Sequence, residues 1–365
     1  MKNIVLSFFL LFCSFFKSQN NFIIKGRVDD TKINEVILNN PFISPEYYEQ
    51  PEFKSSVNNQ NFLIKGSLSY PQAFRLRVGN GLSGLVFIDQ GTHFINILSD
   101  SLSFYYPAIL EESKINLELK NKFLPPYKKL IDQDLAIIQE GNKCISDSLN
   151  IECKNRDFIK LRKEIHIKQD SVIYKYAVEN PQSYIPLWFI ADKLRTFGYS
   201  DYQYEAFNSL SKKIQETKTG IELKKDLTIA KHFAVGQRYP TFNLKNGEVF
   251  NSLGKKYTLI DFWFSNCAPC IQQIPIYKRI YEKYKIKGLE IISISTDDTK
   301  YLANWKRIIT EKKMDWRNLL DENGKESKKY SITKFPTTFL LDSEGVILQK
   351  DISPEELETF LNNNL

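Results

Sequence analysis

The stretch Asp261-Phe-Trp-Phe-Ser-Asn-Cys-Ala-Pro-Cys270 constrains this chain more than any other. It reads as a buried strand running directly into a helix whose first turn carries two cysteines, Cys267 and Cys270. A C-x-x-C pair at such a junction suits thiol–disulfide exchange. The first sulfur lies at the helix N-terminus, where unpaired N–H groups and the helix dipole favour a thiolate. The second follows one turn later, within reach of a mixed disulfide formed on the first. Chemistry of this kind occupies only the last third of the chain, so the remainder needs its own account.

With 365 residues the chain is long enough for two or three domains. Its 42% hydrophobic and 13% aromatic content supplies material for packed cores rather than for a disordered chain. The net charge of +7 is modest, and lysines such as Lys212-Lys213 and Lys224-Lys225 alternate with acids. That pattern is a solvated helical surface, and no nucleic-acid partner is expected. Lys2, the apolar run Ile4 to Phe12 and the polar Lys17-Ser-Gln-Asn20 read as a signal peptide cut near Ser18. The run is too short to span a bilayer. Phe12 before Cys13 is a poor lipoprotein signature, so the expectation is a soluble exported protein of the periplasm or cell envelope, with lipid anchoring second. Four cysteines then remain, and Cys144 and Cys153 either bridge a small loop or stay free.

Three regimes follow the signal. Residues 19–101 hold short alternating runs: Phe22–Gly26, Glu35–Leu38, Phe62–Gly66, Phe74–Val78 and Phe94–Leu98, with Asn58-Asn-Gln-Asn61 as a hairpin turn. A small antiparallel sheet or sandwich is expected, with His93 as a structural side chain. Residues 102–231 turn helical, with helices over Arg156–Asn180, Ser183–Phe197 and Asp201–Thr217. Their aromatics (Tyr174, Tyr176, Tyr184, Trp188, Phe189) read as helix–helix core. Residues 232–365 alternate: strands at Tyr257–Phe264 and Leu289–Ser295, a hairpin about Asp342-Ser-Glu-Gly345, and helices from Ala268, over Thr299–Lys312 and from Pro354. The order implies an α/β domain with a mixed sheet and helices on both faces.

Three separated phrases carry a resemblance: DFW with CAPC at Asp261–Cys270, KGLEIISISTDD at Lys287–Asp298 and KFPTTFLLDSEG at Lys334–Gly345. In that order they resemble the thioredoxin-fold oxidoreductases of the TlpA/ResA-like family. The β-rich and helical regions are similar to those often fused ahead of such modules. The resemblance implies Cys267 as nucleophile and Cys270 as a more buried resolving thiol. Asp261 would be a buried proton acceptor with a raised pKa. Phe335 and cis Pro336 would form a substrate-binding edge, with Trp263 beside them. Pro269 suits the first helical turn. Two departures stand out: Asn266 replaces the tryptophan usual before the first cysteine, and Gln273 replaces a frequent glutamate.

The expected activity is exchange of protein disulfides and thiols, acting as a reductant fed by a membrane-linked electron donor, without a cofactor. A thiol peroxidase of the same fold superfamily is the alternative enzyme, although the surroundings expected of a peroxidatic cysteine are missing. The other alternative is a binding or scaffold protein with an accessory thioredoxin domain. Zinc at Cys267 and Cys270 is disfavoured, since no second ligand pair is near in sequence.

Overall fold

The computed structural model describes residues 20–98, 102–146, 158–242, 244, 253, 256–330, 332 and 334–365. The expected signal peptide and Cys153, with its pairing to Cys144, lie outside these residues. The chain forms two compact units, one of residues 1–192 and 209–220, the other of residues 193–208 and 221–365.

In the first unit, seven strands make two sheets. Strands β1 (Phe22–Val28), β4 (Asn61–Gly66) and β7 (Gly91–Ile97) pair in the order β4-β1-β7. Strands β2 (Glu35–Asn39), β3 (Glu52–Ser56), β5 (Gln72–Val78) and β6 (Gly81–Ile88) pair in the order β3-β2-β5-β6. All pairs are antiparallel except β1 with β7, which run parallel. The hairpin between β3 and β4 turns on Asn59 and Gln60, both with positive φ, and Asn58 pairs with Asn61 across it. Such a two-residue turn matches the twist of its strands. Strand β6 escapes an alternation test because its second half is buried on both faces.

The helices of this unit include α1 (Lys114–Glu118), α2 (Leu124–Ser146), α3 (Phe158–Glu179) and the first part of α4 (Ile185–Phe197). The aromatics expected between helices do more than that. Trp188 is fully buried and stacks on Tyr48 at 4.8 Å, while its Nε1 donates to Pro71 O at 3.2 Å. Phe189 packs on Phe123 of the helical layer at 4.6 Å and on Phe87 of β6 at 6.1 Å. One ion pair crosses the same interface. Arg75 of β5, 3% exposed, holds Asp192 of α4 with Nη2 at 2.8 and 3.0 Å. Its Nη1 donates to Ser83 O and Phe104 O, and its guanidinium lies 4.2 Å from the Phe104 ring centre. The expected helix over Asp201–Thr217 is broken: α5 (Asp201–Ser209) ends before the short α6 (Lys212–Gln215).

The second unit carries a five-stranded sheet of order β10-β9-β8-β11-β12. Strands β8 (Tyr257–Trp263), β9 (Leu289–Ser295) and β10 (Arg317–Leu320) run parallel, and β11 (Thr337–Asp342) and β12 (Ile347–Lys350) join antiparallel. The four-residue β10, half polar, gives no sequence signal. Side chains of the central β8 alternate as a buried strand requires. Leu259 and Trp263 face a core made with α8 (Ala268–Tyr284), α9 (Leu302–Lys312) and α10 (Pro354–Asn364). Ile260 and Phe262 face a second core with Phe233 at the end of α7 (Lys218–His232) and with Phe242. Among the described residues no helix is long and apolar enough to cross a membrane.

Removing one partner of a buried ion pair strands the other. Asp192→Ala should therefore destabilise the protein by about 3 kcal/mol or more in denaturant titration. A loss under about 0.5 kcal/mol would place Arg75 among ordinary surface pairs.

Candidate functional site

Strand β8 sits at the centre of the sheet, and its parallel partner β9 lies on the side away from β11. The chain leaves β8 at Trp263, crosses Phe264, Ser265 and Asn266, and enters α8 with Cys267 as its N-cap. The cap is made by sulfur: Cys270 N–H donates to Cys267 Sγ at 3.3 Å. Pro269 occupies the first turn, where its missing N–H costs nothing. Cys267 and Cys270 are joined as a disulfide, with S–S 2.00 Å. Cys270 is not the deeper of the two, as the sequence led us to expect. Both are 4% exposed, because the cap draws the Cys267 sulfur back over the first turn of α8. What separates them is position: only Cys267 stands at the open end of the helix, where the first-turn N–H groups converge.

Asp261 lies between Leu259 and Trp263 on the face of β8 that looks toward α8, and is 5% exposed. Its register partner on β9 is Ser293, which donates to Asp261 Oδ2 at 3.2 Å and accepts from Trp316 Nε1 at 2.8 Å. One hydrogen bond does not offset the loss of water, so burial pushes the carboxyl up from 3.8 to about 7. Tyr277 of α8 is held well above the ordinary phenol range, by burial first and by the Asp261 charge second. Its hydroxyl donates to Gln273 Oε1 at 3.4 Å, so Gln273 joins the polar side of α8 near this carboxyl.

Phe335 and Pro336 are joined by a cis peptide bond ahead of β11. The Phe335 ring meets Phe264 edge-on at 5.4 Å and 86°. Trp263, expected at the substrate edge, is placed differently. It is 1% exposed and belongs to the core with Cys267, Cys270 and Ile274, because its place in the strand turns it inward. It can support the cysteines, and a direct contact with substrate is closed to it in this conformation.

Two polar systems at the site were not foreseen. Asp297, 2% exposed, accepts from Ser265 N at 2.9 Å, Ser265 Oγ at 2.6 Å and Ser295 Oγ at 2.6 Å. It fastens the loop before Cys267 to the end of β9. From the outside, Asn304 of α9 donates to Ser265 O at 3.2 Å and Asn266 Oδ1 at 3.1 Å, and accepts from Arg307 at 2.6 Å. The only sequence trace of either is the Asp297-Asp298 doublet and the three-residue spacing of Asn304 and Arg307. Among the described residues, no group of three or more His, Cys, Asp or Glu could hold a metal.

The raised pKa of Asp261 has a stability consequence. Between pH 3.8 and about 7 the folded chain keeps a proton that the unfolded chain has lost. Stability therefore falls as pH rises through that window and levels off above it. In Asp261→Asn that slope should vanish. The stability of the variant relative to the parent should then grow by up to about 4 kcal/mol between pH 4 and pH 8, the equivalent of raising the carboxyl from 3.8 to about 7. Denaturant midpoints at the two pH values measure it, and parallel curves would remove Asp261 as a desolvated carboxyl.

Comparison with known proteins bears on the same region. Residues 235–350 match the AhpC/TSA family. The thiol-disulfide oxidoreductase ResA of Bacillus thuringiensis subsp. konkukian (strain 97-27) is 30% identical over 139 residues, 35% of this chain and 76% of that protein. ResA of Oceanobacillus iheyensis is 31% identical over 144 residues, 36% of this chain and 74% of that protein. Among solved structures, the thioredoxin domain of a thiol-disulfide oxidoreductase from Bacteroides vulgatus is 29% identical, with a TM-score of 0.32 over 36% of this chain and 97% of that domain. At that identity and coverage of ResA, the chain belongs to the ResA-like thiol-disulfide oxidoreductases of the thioredoxin fold.

Proposed function

We propose that this protein is an exported reductant of protein disulfides, and that residues 232–365 are its redox module. The observation that carries the proposal is the cysteine pair at the N-terminus of α8, with cis Phe335-Pro336 ahead of β11 and Asp261 behind it in the core. In the dithiol state the Cys267 thiolate attacks one sulfur of a substrate disulfide. The S–S bond breaks, one substrate thiolate leaves, and a mixed disulfide joins Cys267 to the substrate. Cys270 then gives its proton to Asp261 and attacks Cys267 Sγ, expelling the second substrate thiolate. The substrate gains two electrons and the pair becomes the Cys267–Cys270 disulfide. A dithiol donor outside the chain, which we assign to the membrane, restores the cysteines.

Each residue has a physical task in this scheme. The helix N-terminus stabilises the Cys267 thiolate. A carboxyl near pH 7 can accept and release a proton at neutral pH, where a solvated aspartate would be too weak a base. The peptide group of Phe335 lies beside Pro336 and suits pairing with an extended substrate backbone. Export rests on the N-terminal sequence, Lys2 with its short apolar run.

Cys270→Ser should stop the cycle midway and accumulate substrate-linked protein through Cys267, seen as bands lost on adding dithiothreitol. Absence of any mixed disulfide, with no reductase activity in the parent, would overturn the redox reading. Asp261→Asn should slow the resolving step about a hundredfold, the low end of general-base effects, and flatten its dependence on pH near 7. The couple should titrate near the thioredoxin value of about −270 mV, and a value near −120 mV would make it an oxidant. Peroxide consumption as fast as disulfide reduction would instead favour a thiol peroxidase.

A further inference from the structure

A cavity of about 420 Å³ opens beside the disulfide. Its wall includes Asn266, which precedes Cys267, and Phe335, which precedes Pro336. It therefore lies between the two positions that a substrate segment must pass if it pairs with Phe335 while its cysteine meets Cys267. Three aromatic rings line it: Phe264 and Phe335, set edge to face, and Tyr301, which is 38% exposed. Among the described residues, the charged side chains on its wall are Asp297, Asp298 and Lys328. Asp297 is taken up by Ser265 and Ser295, and Lys328 Nζ donates to Asn323 O at 3.0 Å. Asp298 is exposed to solvent, and the three rings give the wall its contact surface for an aromatic side chain.

The direction of the Asn266 amide follows from its neighbours. Arg307 has only donors, so the Asn304 atom 2.6 Å from it is Oδ1. Asn304 Nδ2 then faces Ser265 O and the Asn266 side chain, and the Asn266 atom that accepts from it is Oδ1. The Nδ2 hydrogens of Asn266 are left to point elsewhere, at a site where this residue lines the cavity. A hydroxyl oxygen can accept from them; a plain hydrocarbon ring cannot.

We propose that this cavity is a specificity pocket for an aromatic side chain, tyrosine above all, that flanks the disulfide-bonded cysteine of an extended substrate. The inference rests on the redox reading given above. Edge-on contact with Phe264 and Phe335 holds the ring, and the Asn266 amide, aimed by Asn304 and Arg307, donates to the phenol oxygen. Asn304 and Arg307 are positioning residues, since they act through Asn266.

The test uses the full chain, chemically reduced, and peptides whose single cysteine is capped as a mixed disulfide with 2-mercaptoethanol. The peptides differ only in Tyr, Phe, Ala, Glu or Lys, placed in turn at each of two positions on either side of the cysteine. At one of these positions kcat/KM should rank Tyr above Phe above Ala, with tyrosine about tenfold over alanine, and Glu and Lys no better than Ala. Tyr301→Ala should shrink the Tyr/Ala ratio, and Asn304→Ala the Tyr/Phe ratio. Both ratios are taken within one variant, so a general loss of fold or redox activity cancels. Equal rates at every position, or a preference for Glu or Lys, would overturn the pocket while leaving the redox function standing. Failure of the parent to reduce any peptide would overturn the redox reading, and the pocket with it.

Discussion

The attachment of Ser265 to Asp297 governs how the cysteines are presented. A strand that ends in a helix can leave the sheet in many directions, and the three residues between β8 and α8 have no pairing of their own. Asp297 removes that freedom by accepting both the backbone N–H and the hydroxyl of Ser265. The same carboxylate takes the Ser295 hydroxyl, so the end of β8 is tied to the end of its parallel neighbour. Buried charge-assisted hydrogen bonds of this kind are short and directional. They set where the first turn of α8 begins, and with it the place where its free N–H groups converge on Cys267 Sγ.

Asp261 illustrates the opposite treatment of a buried acid. It accepts one hydrogen bond from Ser293, where Asp297 accepts three. The difference decides what each can do. A carboxylate surrounded by donors is held in place by them and serves as an anchor. A carboxyl short of donors sits close to its own titration point, and so it can take up and give back a proton. Two buried acids, one on β8 and one just past the end of β9, thus differ in their hydrogen-bond supply. The cost of the second arrangement falls on stability above neutral pH, where the charge is unshared.

Much of this region was legible in the sequence because its parts lie in short contiguous phrases. Cys267, Cys270 and Asp261 fall within ten residues, and the apolar run around Asp261 marks a buried strand without further help. The strand limits Leu289–Ser295 and the start of α8 at Ala268 followed from the pattern and are found as read. What escaped depends on distance along the chain. Ser265 meets Asp297 and Asp261 meets Ser293 across 32 residues, and Asn304 meets Ser265 across 39. Those pairings exist only once the β8–β9 crossover sets the register. Trp263 was misplaced for a related reason: hydrophobicity marks it as part of the strand, but only the alternation with Ile260 and Phe262 says which face it takes. Strand β6 was lost because burial on both faces erases alternation.

The first unit handles buried charge in a third way, and the comparison shows why the redox chemistry lies elsewhere. Arg75 is as enclosed as the acids beside the cysteines and Asp192 is half-buried, yet each has a partner of opposite sign, and the guanidinium also rests on Phe104. Paired charges of this sort hold elements in register, because removing one leaves the other stranded. They make a rigid scaffold and a poor proton relay. Asp261 has the Ser293 hydroxyl and no opposite charge to lower its pKa, and burial therefore dominates it. Trp263, Tyr277, Ile274 and Leu259 form the aromatic and aliphatic core on the Asp261 face of β8 and keep water from the carboxyl. Loosening that layer would admit water and lower the Asp261 pKa toward its solvated value before it unfolded the domain.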